Sequence, residues 1–190
     1  MADVDAADKA ISILPARDGR VYEVRSTLAG RFITPVGYSE LLSDVRAGFT
    51  SAQGIPRIPM YLTMQIIAFF RHLAQHSDSS DYEGLVNIYW DTQDNIFIVD
   101  APEQVVSKTS VNGTKNPTYD NDRYIHYMDI HSHNNMQAYF SATDDEDEKA
   151  TGIYTVFGRI NQFMPEMKTR ISNGGKFLEI DRGLWHQAWW

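Results

Sequence analysis

The sequence predicts an α/β domain, and three observations carry that reading: a helical apolar period over residues 60–76, a series of short β-rich runs after it, and a globular composition. The chain has 190 residues, 43% hydrophobic and 22% charged. A chain of this size can bury roughly 70% of its unfolded surface without help from a disulfide or a structural metal. Cysteine is absent, which removes disulfide frameworks, thiolate metal sites and thiol nucleophiles and leaves any metal to histidine and carboxylate. With 17 Lys+Arg against 25 Asp+Glu, the net charge is −8, so nucleic acid is not expected as a partner. Residues 1–8 are acidic where a signal peptide would be basic, and no run approaches the ~20 apolar residues of a membrane span. A soluble cytoplasmic protein without a membrane partner is expected.

Taken in order, residues 1–9 read as a polar tail, and Ile11–Leu14 and Val21–Thr27 as short strands around Arg17-Asp18-Gly19. Ser39–Val45 reads as a short helix. The two prolines of Gly54–Pro59 mark a rigid connector and the one candidate boundary. Residues 1–57 are therefore an N-terminal extension without an assigned role, and 58–183 the main domain. Leu62, Ile66, Phe69, Phe70 and Leu73 recur at helical spacing, so Met60–His76 is an amphipathic helix entered through Pro59. Leu85–Trp90 and Ile96–Val99 form a hairpin across Asp91–Asn95. Val105–Val111 is a weaker strand, Tyr124–His133 a strand rich in aromatic and apolar residues, and Ile153–Phe157 another. Lys168–Ser172 and Lys176–Ile180 pair across Asn173-Gly174-Gly175. Residues 184–190 form a Trp-rich tail, either docked on the domain or presented to a partner.

One segment carries chemistry. On a strand running through His131 and His133 the two imidazoles share a face, because side chains two apart lie on the same side. Two imidazoles can then meet one ion, and Asp144, at the start of the following helix, can supply a third ligand. The alternative is a pair of ordinary surface histidines beside a solvated acidic run. The spacing is more specific than the pair: His131-x-His133 is followed by seven residues, Ser141, two residues and Asp144.

That pattern, His-x-His-x(7)-Ser-x(2)-Asp, resembles the JAMM/MPN (JAB-type) zinc metalloproteases. The resemblance covers roughly residues 60–180. It implies a curved mixed β-sheet with helices on both sides, as in the related cytidine-deaminase-like folds. It also implies a Zn2+ ion held by His131, His133 and Asp144, with Ser141 as donor to the oxygen of the tetrahedral intermediate. Glu83, after the long helix and ahead of Leu85–Trp90, takes the place of the family's glutamate, a general base and then acid. The implied activity is hydrolysis of an amide in a protein or peptide substrate, at the C-terminus of a ubiquitin-like or sulfur-carrier protein. The sequence departs from the family in three places. Glu83 directly precedes Gly84, with Asp81 three before that glycine. Met128-Asp129-Ile130 stands before the first histidine, and Asn134 after the second.

Other polar residues carry less. His72 and His76 lie four apart on the helix without the glutamate of His-Glu-x-x-His proteases, and so read as its exposed edge. His126, an odd number of residues from His131, is expected on the opposite side of the strand. His186 belongs with the tail. Asp145–Glu148 reads as a solvated first helical turn. The competing function is a non-catalytic binding or scaffold domain of the same family. A zinc nucleobase deaminase, which needs a Pro-Cys-x-x-Cys ligand set, fails on the absence of cysteine.

Overall fold

The computed structural model describes residues 9–38, 45–52, 54–76, 82–106, 111–114, 116–180 and 182–186. The expected helix at 39–45 lies almost wholly outside them, as do Asp81 and the last four residues of the tail. Four strands, β1 (Ile11–Pro15), β2 (Arg20–Ser26), β3 (Gly30–Tyr38) and β4 (Gly48–Ser51), form an antiparallel meander. After it come helix α1 (Met60–His76), β5 (Leu85–Asp91) and β6 (Ile96–Asp100). The short strands β7 (Gln104–Val106) and β8 (Val111–Gly113) pair with each other where one strand was expected. Strand β9 (Tyr124–Ser132), helix α2 (Ala142–Asp147), β10 (Gly152–Gly158), β11 (Glu166–Ser172) and β12 (Phe177–Ile180) complete the described elements.

The main sheet has the order β12-β11-β10-β9-β5-β6. Its β9–β10 pair is parallel and the remaining pairs antiparallel. The expected α/β architecture, with helices on both sides of the sheet, is overturned: the protein is mostly β, and the described residues hold two α-helices of very unequal length beside the four- and six-stranded sheets. Helix α1 has 17 residues and α2 has six. The reason is local. The run after Ser141 is acidic without an apolar stripe, so it cannot cover a sheet face as a long helix does, and the chain turns into β10 instead. The 1–57 segment, read as an appendage, builds the second sheet. Pro35 and Gly37 mask its longest strand in the sequence, and the structure accommodates them by a register shift against Val21 and Tyr22.

Alternation assigns the two faces of the main sheet. Val86, Ile88, Ile130 and Phe157 lie on one side and pack in a single core with Leu62, Ile66, Ile67 and Phe70 of α1. Each of these fully buried side chains contributes roughly 1.5–3 kcal/mol. The carbonyl of Pro59 accepts from Leu62 N at 3.1 Å and Thr63 N at 3.4 Å, so α1 is entered through the proline as its position in the sequence predicts. The tail docks as far as it is described: Ile58 and Trp185 form a parallel bridge, and Trp185 is buried edge-on to Phe157 at 6.1 Å. No helix among the described residues is long and apolar enough to cross a membrane.

The β5–β6 turn is held by Asp91, only 2% exposed. Its Oδ1 accepts from Gln93 N at 2.9 Å and Asp94 N at 3.2 Å, and Arg123 reaches Oδ2 at 2.6 Å. Bonding to Arg123 is the main cause that lowers the Asp91 carboxyl to about 2, below its ordinary 3.8. A depressed carboxylate stabilises the fold above its unfolded pKa, and that contribution fades as pH falls towards the folded value. Asp91→Asn is therefore expected to melt well below the parent at pH 7. The gap should narrow between pH 4 and 2, as read by thermal denaturation; a gap independent of pH would refute the assignment.

Candidate metal centre

The face of the main sheet opposite α1 carries the chemistry. Strand β9 places His131 opposite Leu85 of β5 and beside Val156 of β10, and His133 follows just beyond the strand end, tied by its N–H to the carbonyl of Phe157 at 2.7 Å. Both histidines are buried, with exposures of 7% and 3%. Their rings are packed by aromatic edges, Phe140 at 6.4 Å from His131 and Tyr139 at 4.7 Å from His133.

Helix α2 brings the third group. Ser141 is its N-cap and Asp144 its third residue, in a reciprocal capping box. Asp144 Oδ2 accepts from Ser141 N at 2.5 Å and from Ser141 Oγ at 2.7 Å, while Asp144 N donates back to Ser141 Oγ at 3.2 Å. The Ser-x-x-Asp spacing is thus a device of local folding, and Ser141 directs its proton at Asp144.

His131, His133 and Asp144 come together as expected, with one donor atom from each lying within 4.8 Å of the others, so they can hold a metal ion. His131 Nε2 is 3.2 Å from His133 Nε2 and 3.4 Å from Asp144 Oδ1, and His133 Nε2 is 3.8 Å from Asp144 Oδ2. An ion with bonds of about 2.0–2.1 Å in a tetrahedral arrangement sets neighbouring donors roughly 3.3 Å apart, so the set fits with small adjustment. Burial lowers His131 to about 4 against the pull of Asp144, and lowers His133 for the same reason. Both imidazoles are thus neutral near pH 7, the form that binds metal.

Glu83 reaches the same place from the segment ahead of β5. It is 6% exposed, with Oε1 3.9 Å from His133 Nε2. Burial, reinforced by Asp144, raises its carboxyl to about 7, where a carboxyl can both accept and return a proton. Gly84 N donates to Ser132 Oγ at 3.0 Å, and Asn134 Nδ2 donates to the Tyr82 carbonyl, so Glu83 is held between two anchors on the ligand strand. Both anchor residues suit their places: a Cβ on Gly84 would lie 2.6 Å from Leu73 Cδ1 of α1, and Asn134 has φ 47°, in the left-handed region that asparagine tolerates.

A cavity of about 360 Å³ runs from Glu83, His131, Asp144 and Glu148 along the sheet to Asn87, His126, Asp129 and Tyr154. His126 therefore lines the same side as His131, against expectation, because the β5–β9 register shifts between Ile88 and Tyr89 and resets the alternation. It stands outside the converging group, and its Nε2 bonds Asp129 at 2.7 Å. Glu148, read as solvated, is 8% exposed, with Oε1 3.6 Å from His131 Nδ1. Burial pushes its carboxyl up to about 8 against the opposing pull of Arg170. The sequence offered no signal for it beyond its place in the acidic run. His72 is exposed on α1, as expected. No family model and no curated protein matches this chain.

Proposed function

We propose that this chain is a zinc-dependent metallopeptidase or isopeptidase, hydrolysing an amide at the C-terminus of a ubiquitin-like or sulfur-carrier protein. The observation that carries the hydrolase reading is the convergence of His131, His133 and Asp144, with Glu83 buried beside His133 and lining the same cavity as His131 and Asp144. Two nitrogen donors and one oxygen donor suit zinc, and a set of three leaves a position open for chemistry. The substrate class follows from the spacing His131-x-His133-x(7)-Ser141-x(2)-Asp144 and its resemblance to the JAMM/MPN proteases.

Bound among these three residues, zinc would supply Lewis acidity, polarising the amide carbonyl and lowering the pKa of water towards ~7. Glu83 accepts a proton from the attacking water and returns it to the leaving nitrogen, so that the water oxygen ends on the acyl carbon as the C–N bond breaks. Ser141 serves the developing oxyanion by turning its proton from Asp144 towards it. Asp144 is held by the capping box, so its orientation does not depend on the substrate.

Metal analysis of protein purified without chelator tests this reading. About one zinc per chain is expected for a three-ligand site. A content below a few tenths of an equivalent after reloading would sink it.

A further inference from the structure

Arg170 of β11 is a guanidinium buried to 4% exposure and stacked between the rings of Phe140 at 4.0 Å and Phe177 at 3.9 Å. Burying a charge is costly unless it is paired. Arg170 meets two carboxylates. Its Nε donates to Glu148 Oε2 at 2.9 Å with Nη2 at 2.8 Å from the same oxygen, and its Nη1 donates to Asp145 Oδ1 at 2.5 Å. Both acceptors follow Asp144 on the acidic run, one and four residues later.

We infer that Arg170 and Glu148 are a positioning pair for the metal centre, orienting His131 and seating the helix that supplies Asp144; this rests on the metal reading above. Arg170 occupies Glu148 Oε2, which leaves Oε1 facing His131 Nδ1 at 3.6 Å. That oxygen faces the ring nitrogen remote from the ion site, so it helps to hold the ring with Nε2 towards His133 and Asp144. At the same time the bond to Asp145 pins α2 one residue from the carboxylate ligand. One planar fork thus ties the histidine of β9 to the aspartate of α2, which a lysine, with a single point charge, cannot do in the same geometry.

Zinc affinity of the full-length chain, measured by competition with a chromogenic chelator, tests the inference. Glu148→Gln and Arg170→Met are each expected to bind zinc about 10–100-fold more weakly than the parent. Asp91→Asn, remote from the site, should lower the melting temperature and leave zinc affinity unchanged, which separates positioning from general loss of stability. If Arg170→Met does not fold, the near-isosteric Glu148→Gln decides alone. Variants that match the parent's affinity overturn the positioning role and leave the metal centre standing. A parent that binds no zinc overturns both.

Discussion

Glu83→Gln is expected to keep the zinc content of the parent and to lose amide hydrolysis by roughly 10²–10⁴-fold, the usual worth of a general acid–base group. Glutamine has nearly the shape of glutamate and cannot take up a proton, so the change isolates proton transfer from packing. The two anchors that hold the segment use other atoms, the Gly84 amide on Ser132 and the Tyr82 carbonyl under Asn134. Metal binding should survive, because the three converging ligands do not include Glu83. The measurement is cleavage of a ubiquitin-like protein fused at its C-terminus to a reporter peptide, with zinc quantified on the same samples. A variant that turns over at the parent's rate removes Glu83 from the proton path and makes Asp81 the next residue to test.

The three converging residues were legible because each depends on local geometry. The i, i+2 spacing brings His131 and His133 together at the end of β9, and a Ser-x-x-Asp box places Asp144 at a helix start. Residues whose role depends on distant chain were not. Glu148 looks like one charge in a solvated run, and its burial is decided by Arg170, 22 positions away on β11. His126 changes sides through a register shift that periodicity does not encode. The helix count failed for a related reason: α1 announces itself by its stripe, but coverage of the other face is settled by tertiary packing. In the first 57 residues, Pro35 and Gly37 interrupt a strand that its neighbours nevertheless complete.

Phe32→Ala is expected to destabilise the whole chain by about 3–5 kcal/mol, the range for a large aromatic removed from a packed core. The ring is 1% exposed and stands edge-on to Phe49 at 4.8 Å; Phe49 meets Tyr127 of β9 at 6.3 Å, and Tyr127 meets Phe97 at 5.4 Å. This line of rings runs from the first sheet into the core of the second, and Ala29 and Phe32 belong to the same buried cluster as α1. Among the described residues, the opposite face of the first sheet has the small cluster of Ala16, Tyr22, Val24 and Ile33, with Leu14 and Val45 packed on it, too little to stand alone. Polar contacts reinforce the join next to the candidate site. Asn173 Nδ2 donates to the Glu23 carbonyl at 3.2 Å three residues after Arg170, and Arg25 bonds Thr151 Oγ1 at 3.0 Å on the loop that follows α2. Calorimetry of the variant should therefore show one transition, shifted down as a unit. Two transitions, with only one of them moved, would mean that the N-terminal sheet folds by itself and that its packing contributes nothing to the seat of Arg170.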